Sequence, residues 1–230
     1  MIKRLDWDSD FFGYEIGKVE INYFDQKSKS VLLNEADRFK LVYITSNKEM
    51  YPIIENAKLV DIKIQLAKEV FTEEDCKKVN LSEYKLEDNE QLKKLAFQSG
   101  IYSRFKRDIN FTKNEYEYEK LYAKWIEDSI NKLIADNIIV YKDNCNQYKG
   151  FITVKHKMDF AEIGLIAVDE LSRGKGIGVA LLNYVNNLTK VAGLKKIVVT
   201  TQFENIPAMK LYERAGYKVI SKKYIYHLWN

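Results

Sequence analysis

The sequence predicts an α/β fold built round a mixed sheet, on three observations. The last third of the chain alternates strand, helix, strand, helix, strand. Within it an apolar run over 162–168 meets a glycine-rich turn, Arg173-Gly174-Lys175-Gly176-Ile177-Gly178, that opens a helical run over 179–185. The first 70 residues show a similar order of strands and helices.

From the N-terminus, residues 13–21 alternate apolar and polar as a half-buried strand does. Residues 30–38 read as a helix, 41–45 as a β-branched strand, 48–57 as a short helix and 59–66 as another strand. Helices are expected over 87–98 and 114–131, with strands over 132–140 and 150–157. Past the glycine turn and its helix, residues 195–201 form a short strand bounded upstream by Gly193. The segment 205–217 starts on Asn205, carries Pro207 in its first turn and reaches Gly216 near its end, which are helix start and stop signals. Residues 217–220 and 224–229 close the chain as strands.

A strand, a glycine turn and a helix make an anion site from backbone alone. Glycine lets the chain bend and its amides approach a ligand, while the first N–H groups of the helix lack internal partners and carry the positive end of its dipole. A pyrophosphate suits that end. The P-loop pattern fails because no glycine here has the required lysine and hydroxyl residue after it. The dinucleotide pattern fails from Gly174, where Val179 takes its last position, and from Gly176, where Leu181 does.

What fits is Arg-x-x-Gly-x-Gly, at Arg173, Gly176 and Gly178. This resembles the acyl-CoA pyrophosphate loop of the GNAT superfamily of N-acetyltransferases. The downstream segment resembles the second signature of that superfamily, Asn-x-x-Ala-x-x-Leu-Tyr-x-x-x-Gly-[Phe/Tyr], through Asn205, Ala208, Leu211, Tyr212, Gly216 and Tyr217. The resemblance implies acetyl-CoA as co-substrate and no metal. Its pyrophosphate would lie on the amides from Arg173 through Gly174, Lys175, Gly176 and Ile177 to Gly178. Its pantetheine arm would add as a strand along Ile166, Ala167 and Val168. The N–H of Ile166 or Val168 would polarise the thioester carbonyl, Asn205 would hydrogen-bond the pantetheine, and Tyr212 would protonate the departing thiolate. A tyrosine, with an ordinary pKa of roughly 10, is protonated for that task at neutral pH. No general base is assigned: His156, His227 and Glu162 are comparable candidates, and ordered water is an alternative. Neither cysteine sits in either signature, which implies direct transfer.

Composition fits an enzyme of the cytoplasm. The chain has 230 residues, 46% hydrophobic and 30% charged, enough for a sizeable core. No apolar run approaches the roughly 20 residues of a membrane span, and the N-terminal residues do not read as a signal peptide. Cys76 and Cys145 form no C-x-x-C pair. A net charge of +4, from 37 basic and 33 acidic residues spread along the chain, suits small anionic ligands rather than nucleic acid.

The segment 100–108 joins two expected helices and, in this superfamily, overhangs the acceptor pocket. It holds Arg104, Lys106 and Arg107 beside Tyr102 and Phe105, suited to phosphate and to stacking on a base. The opening Trp7-Asp8-Ser9-Asp10-Phe11-Phe12-Gly13, the triplet Ser103-Arg104-Phe105 and the ending Tyr226-His227-Leu228-Trp229 resemble the dTDP-fucosamine acetyltransferase family. That resemblance implies a small N-terminal α/β domain, here 1–77, and an acetyltransferase domain over 78–230; the similar order of elements in the first 70 residues reads as a degenerate half of the acetyltransferase fold. It also implies the 4-amino group of a dTDP-linked amino-dideoxyhexose as acceptor, with Arg104, Phe11 and Phe12 as candidate acceptor-site residues. Two other readings stay open, a GNAT enzyme for a different amine and a non-catalytic acyl-CoA-binding protein. The strand-rich C-terminus is open to pairing in a homodimer.

Overall fold

The structure, a computed structural model, describes residues 1–21, 26–50, 54–70, 80–85, 89–112 and 117–230. Two compact units divide the chain. One is Met1–Ile64 with Gln202–Glu204 and Ser221–Asn230; the other is Gln65–Thr201 with Asn205–Ile220.

The first unit opens with β1 (Lys3–Arg4), α1 (Asp6–Phe12), β2 (Ile16–Glu20), α2 (Gln26–Ala36), β3 (Leu41–Ser46) and the start of β4 (Ala57–Glu69). Helix α1 ends because Gly13 takes a left-handed conformation (φ 76°) and returns its N–H to Ser9 O. Phe11 stacks on Trp7 at 5.1 Å between ring centroids, and Phe12 meets Phe11 edge-on at 4.9 Å. β1 pairs antiparallel with β2, and β2 parallel with β3 in the register Ile16↔Leu41.

The helix expected over 48–57 is absent among the described residues, which are turn or irregular at 48–50 and 54–56. Met50 N–H donates to the Tyr226 hydroxyl (2.7 Å), and Pro52 has no N–H to continue such a helix. Residues 51–53 lie outside the described ones.

The second unit continues with β5 (Leu81–Glu83), α3 (Asn89–Ser99), α4 (Arg104–Arg107), α5 (Ile109–Thr112) and α6 (Glu117–Ile130). Three antiparallel strands follow, β6 (Asn137–Lys142), β7 (Tyr148–His156) and β8 (Ala161–Val168). Then come α7 (Ile177–Val191), β9 (Lys196–Gln202), α8 (Ile206–Arg214) and β10 (Lys218–Trp229). β5 adds antiparallel to β6, and β9 runs parallel to β8. The α/β class with a mixed sheet is therefore the observed one. The two strands expected at the C-terminus are one, β10, which pairs antiparallel with β3 in the first unit through Tyr43↔His227.

Where the sequence suggests a strand from Lys132, α6 instead ends in a left-handed turn. Lys132 has φ 59°, and Leu133 N–H returns to Asp128 O at 2.8 Å. Leu133 and Ile134, the apolar pair that mimics a strand, are exposed, and the strand starts only at Asn137. Residues 86–88 and 113–116, at the starts of two expected helices, lie outside the described residues.

The core of the second unit joins Leu92, Leu95, Tyr122 and Ile126 from α3 and α6 to Phe151 and Ala167 from the sheet. On Gly150 an added Cβ would lie 2.9 Å from Ile177 Cγ2 and 3.1 Å from Ala167 O. That close approach seats the first turn of α7 on β7, and so fixes where the glycine turn must lie.

Candidate active site

The turn between β8 and α7 is built as its glycines suggest. Gly174 (φ 78°) and Gly176 (φ 81°) take left-handed conformations that other residues reach at a cost. Gly176 is also the N-cap of α7 and brings no side chain to its first amides. Asn205, by contrast, caps α8 with its own Oδ1, which accepts from Ala208 N–H at 3.2 Å. The N-terminus of α7 is thus shaped for an anion from outside the helix. Arg173 and Lys175 are exposed beside it, and the Ile177 side chain is core. Arg173 Nε donates to Val168 O at 3.2 Å, tying the turn to the end of β8.

β8 is the second part of the site. It pairs with β9 only from Ala161↔Ile197 to Ile163↔Val199, although it runs on to Val168 and β9 to Gln202. Opposite β7 the register steps from Val154↔Ile163 to Ile152↔Ile166, so Gly164 and Leu165 together face Thr153, a β-bulge. Asp169 N–H bonds to Lys149 O directly across the ladder (2.9 Å). Alternation along an antiparallel pair then turns the Ala167 amide toward β7 and those of Ile166 and Val168 away from it. Beyond Ile163 the β8 edge therefore presents main-chain groups of Ile166 and Val168 on the side where β9 has diverged.

Helix α8 carries the third part. Pro207 stands in its first turn, and the helix ends where Gly216 (φ 83°) lets Tyr217 N–H return to Tyr212 O at 2.9 Å. Asn205 Nδ2 makes no hydrogen bond among the described residues. Tyr212 is buried, its ring 5.6 Å from that of Tyr217. Burial alone pushes its phenol far above the ordinary tyrosine range. α8 lies against the start of α7, where an added Cβ on Gly178 would meet Leu211 Cδ2 at 3.0 Å.

The segment 100–108 is a short 3₁₀ turn (Gly100–Tyr102) followed by α4, capped by Ser103, whose Oγ accepts from Phe105 N–H at 3.2 Å. Arg104 lies over the Phe105 ring at 4.5 Å. Phe105 is core, packed on Phe111 (5.1 Å) and Trp125 (6.3 Å), so its ring is not offered to a ligand base. Lys106 is held over Tyr118 at 4.9 Å.

The glycine turn, the β8 edge, Asn205, Tyr212 and Arg104 all belong to the second unit. Phe11 and Phe12 belong to the first unit. Of the candidate bases, Glu162 is ion-paired with Lys157 (3.2 Å), His156 stands opposite Ala161 at the far end of β7, and His227 is fully buried in the first unit with its ring 5.0 Å from that of Tyr43. Cys145 is exposed, and Cys76 lies outside the described residues. Among the described residues no cluster of three or more histidines, cysteines or carboxylates could hold a metal, and no helix is long and apolar enough to cross a membrane. Thr153 was not singled out by the sequence, since a threonine within a strand carries no local signal.

A divergent parallel edge beside a helix start without a side-chain cap defines a site for an extended ligand with an anionic end. The Acetyltransferase (GNAT) family model matches residues 99–217, just over half of the chain, and the chain belongs to that family. It is similar to dTDP-fucosamine acetyltransferase of Escherichia coli O6:H1, 24% identical over 226 residues that span 97% of this chain and 96% of that one. It is also 27% identical over 142 residues to the spore coat polysaccharide biosynthesis protein SpsD of Bacillus subtilis, 62% of this chain, and that match spans about half (48%) of the relative's length. A GCN5-related N-acetyltransferase of Sphaerobacter thermophilus shares the fold, with a TM-score of 0.55 at 15% identity over 88% of this chain and 65% of the other. Acetyltransferases of this family use acetyl-CoA, and the residues fit such a group: no side chain caps the α7 start, and main-chain groups line the edge beyond Ile163.

Proposed function

We propose that this chain transfers an acetyl group from acetyl-CoA to an amine on a nucleotide-linked sugar, a dTDP-bound 4-amino-4,6-dideoxyhexose destined for a surface glycan. The observation that carries the acceptor is the likeness to a dTDP-fucosamine acetyltransferase along 97% of the chain; the likeness to a polysaccharide biosynthesis protein supports it.

Acetyl-CoA, when bound, supplies an activated acyl group on a thiol leaving group. The amides of the turn from Arg173 to Gly178 hold its diphosphate. Main-chain groups of Ile166, Ala167 and Val168 align the pantetheine, and Ile166 or Val168 N–H donates to the carbonyl oxygen as negative charge develops there. Asn205 donates to the pantetheine through Nδ2, the half of its amide not spent on capping. As the amine nitrogen bonds to the acyl carbon and the C–S bond breaks, Tyr212 Oη gives its proton to the sulfur, and the proton that the amine loses passes through water to restore the phenol. Transfer is direct, because neither cysteine lies in either signature. Arg104, Phe11 and Phe12 serve the acceptor. The enzyme works in the cytoplasm on a small molecule, with neither nucleic acid nor membrane as partner; its strand-rich C-terminus leaves pairing in a homodimer open, and its acetyltransferase domain, residues 78–230, follows a smaller domain of 1–77 in the sequence.

The engagement of Phe105 in the core and of Lys106 with Tyr118 favours a second reading, transfer to a different amine. Thiol release from acetyl-CoA, measured with dTDP- and UDP-linked amino sugars beside spermine and lysine peptides, separates the two. Binding of acetyl-CoA without release on any acceptor would favour a non-catalytic acyl-CoA-binding protein.

A further inference from the structure

We propose that Thr153 is a positioning residue for the thioester-polarising amides: its hydroxyl holds the β8 bulge that turns Ile166 and Val168 toward the open edge. The inference rests on the reading that this edge receives the thioester.

Two residues of β8, Gly164 and Leu165, face the single residue Thr153 of β7. A bulge leaves one of the paired amides without its strand partner. Here Leu165 N–H donates to Thr153 Oγ1 at 2.8 Å, a side chain standing in for the missing backbone acceptor. Thr153 is almost wholly buried, at 2% exposure, so water is a poor substitute. Gly164 completes the device, because a Cβ there would stand 2.9 Å from the same oxygen.

The bulge decides which amides reach the edge. Continued regularly from Val154↔Ile163, the ladder would set Ile166 opposite Phe151, the position that Ala167 holds. A slip of one residue exchanges the two sides of a strand. Without the bulge, Ile166 and Val168 would point their amides into β7, and Leu165 and Ala167 would take the edge. The bulge also sits immediately after Ile163, where pairing with β9 ends. Holding the bulge and orienting the donors are thus one act of Thr153.

The test compares Thr153→Val, which keeps the shape and loses the acceptor, with Thr153→Ser, which keeps the hydroxyl. Three quantities are read in the full chain: amide exchange at Leu165 by NMR, the acetyl-CoA dissociation constant by calorimetry, and kcat for thiol release with dTDP-4-amino-4,6-dideoxygalactose. For Thr153→Val, Leu165 exchange rises at least about tenfold, acetyl-CoA affinity changes less than about threefold because the glycine turn is untouched, and kcat falls about 100-fold, the scale of a lost oxyanion donor. Thr153→Ser stays near wild type in all three. Unchanged Leu165 exchange in Thr153→Val overturns the proposal, as does lost protection with normal kcat, or equal damage in both variants. Should Thr153→Val not fold, Gly164→Ala, which crowds the same hydroxyl, must give the same loss of kcat with affinity kept. A wild-type chain that does not bind acetyl-CoA overturns the functional reading, while the Leu165 exchange still decides whether Thr153 holds the bulge.

Discussion

Gly178, in the first turn of α7, and Leu211, in the middle of α8, touch so closely that a Cβ on the glycine would lie 3.0 Å from Leu211 Cδ2 and 3.2 Å from Cδ1. The two residues stand 33 positions apart in the sequence, and their contact packs the two signature segments against each other. The last glycine of the turn is thus a packing residue as well as part of an anion cradle.

Gly178→Ala should destabilise the chain by about 1–3 kcal/mol through overpacking. Adding Leu211→Ala should recover part of that loss, so the double variant costs less than the sum of the single ones. Chemical denaturation of all four proteins checks it; simple additivity would contradict the contact.

The two ends of the Asn205 amide have separable tasks. Asn205→Ala loses the cap and should cost about 1 kcal/mol of stability along with acetyl-CoA affinity. Asn205→Asp keeps the capping oxygen and removes the Nδ2 donor, so stability should hold while the KM for acetyl-CoA rises. A normal KM in the Asp variant would leave Asn205 as a cap alone.

Tyr212→Phe should lower kcat on the order of 100-fold or more, with acetyl-CoA affinity nearly unchanged. Pre-steady-state thiol release and calorimetry read the two quantities separately. A rate like that of wild type removes Tyr212 as the acid.

Burial of Tyr212 also fixes a pH dependence. Its folded pKa is raised above the unfolded one. Below the ordinary tyrosine value of about 10 both states hold the proton, and the group's contribution to stability is fully present. As pH climbs beyond that value the unfolded chain releases its proton first, and the contribution is lost toward the folded pKa. Denaturation midpoints should therefore fall more steeply from about pH 9 to about pH 11 in wild type than in Tyr212→Phe. Parallel curves would mean that the phenol is better solvated than its burial implies.

Legibility in the sequence followed local chemistry. Gly174, Gly176, Asn205, Pro207 and Gly216 punctuate the chain, and each appears where its backbone preference puts it. The apolar pair Leu133-Ile134 misled because an αL turn at Lys132, a residue without strong preference for it, has no sequence mark. Phe105 looked available because loop aromatics and core aromatics share a spelling; only tertiary packing on Phe111 and Trp125 separates them. The bulge was invisible for a related reason. Gly164 within a β-branched run signals a weak strand residue as readily as a bulge, and its partner Thr153 is defined only by the register of β7 on β8. Contacts also join Ser221–Asn230 to the N-terminal residues, an association that no linear reading of domains contains.

The most direct test of the central claim is thiol release from acetyl-CoA by the purified chain with dTDP-4-amino-4,6-dideoxygalactose, beside spermine and a lysine peptide. Turnover on the nucleotide sugar is expected, with a product whose added mass is one acetyl group on nitrogen. Equal or faster turnover on spermine or the peptide, with none on the nucleotide sugar, would contradict it.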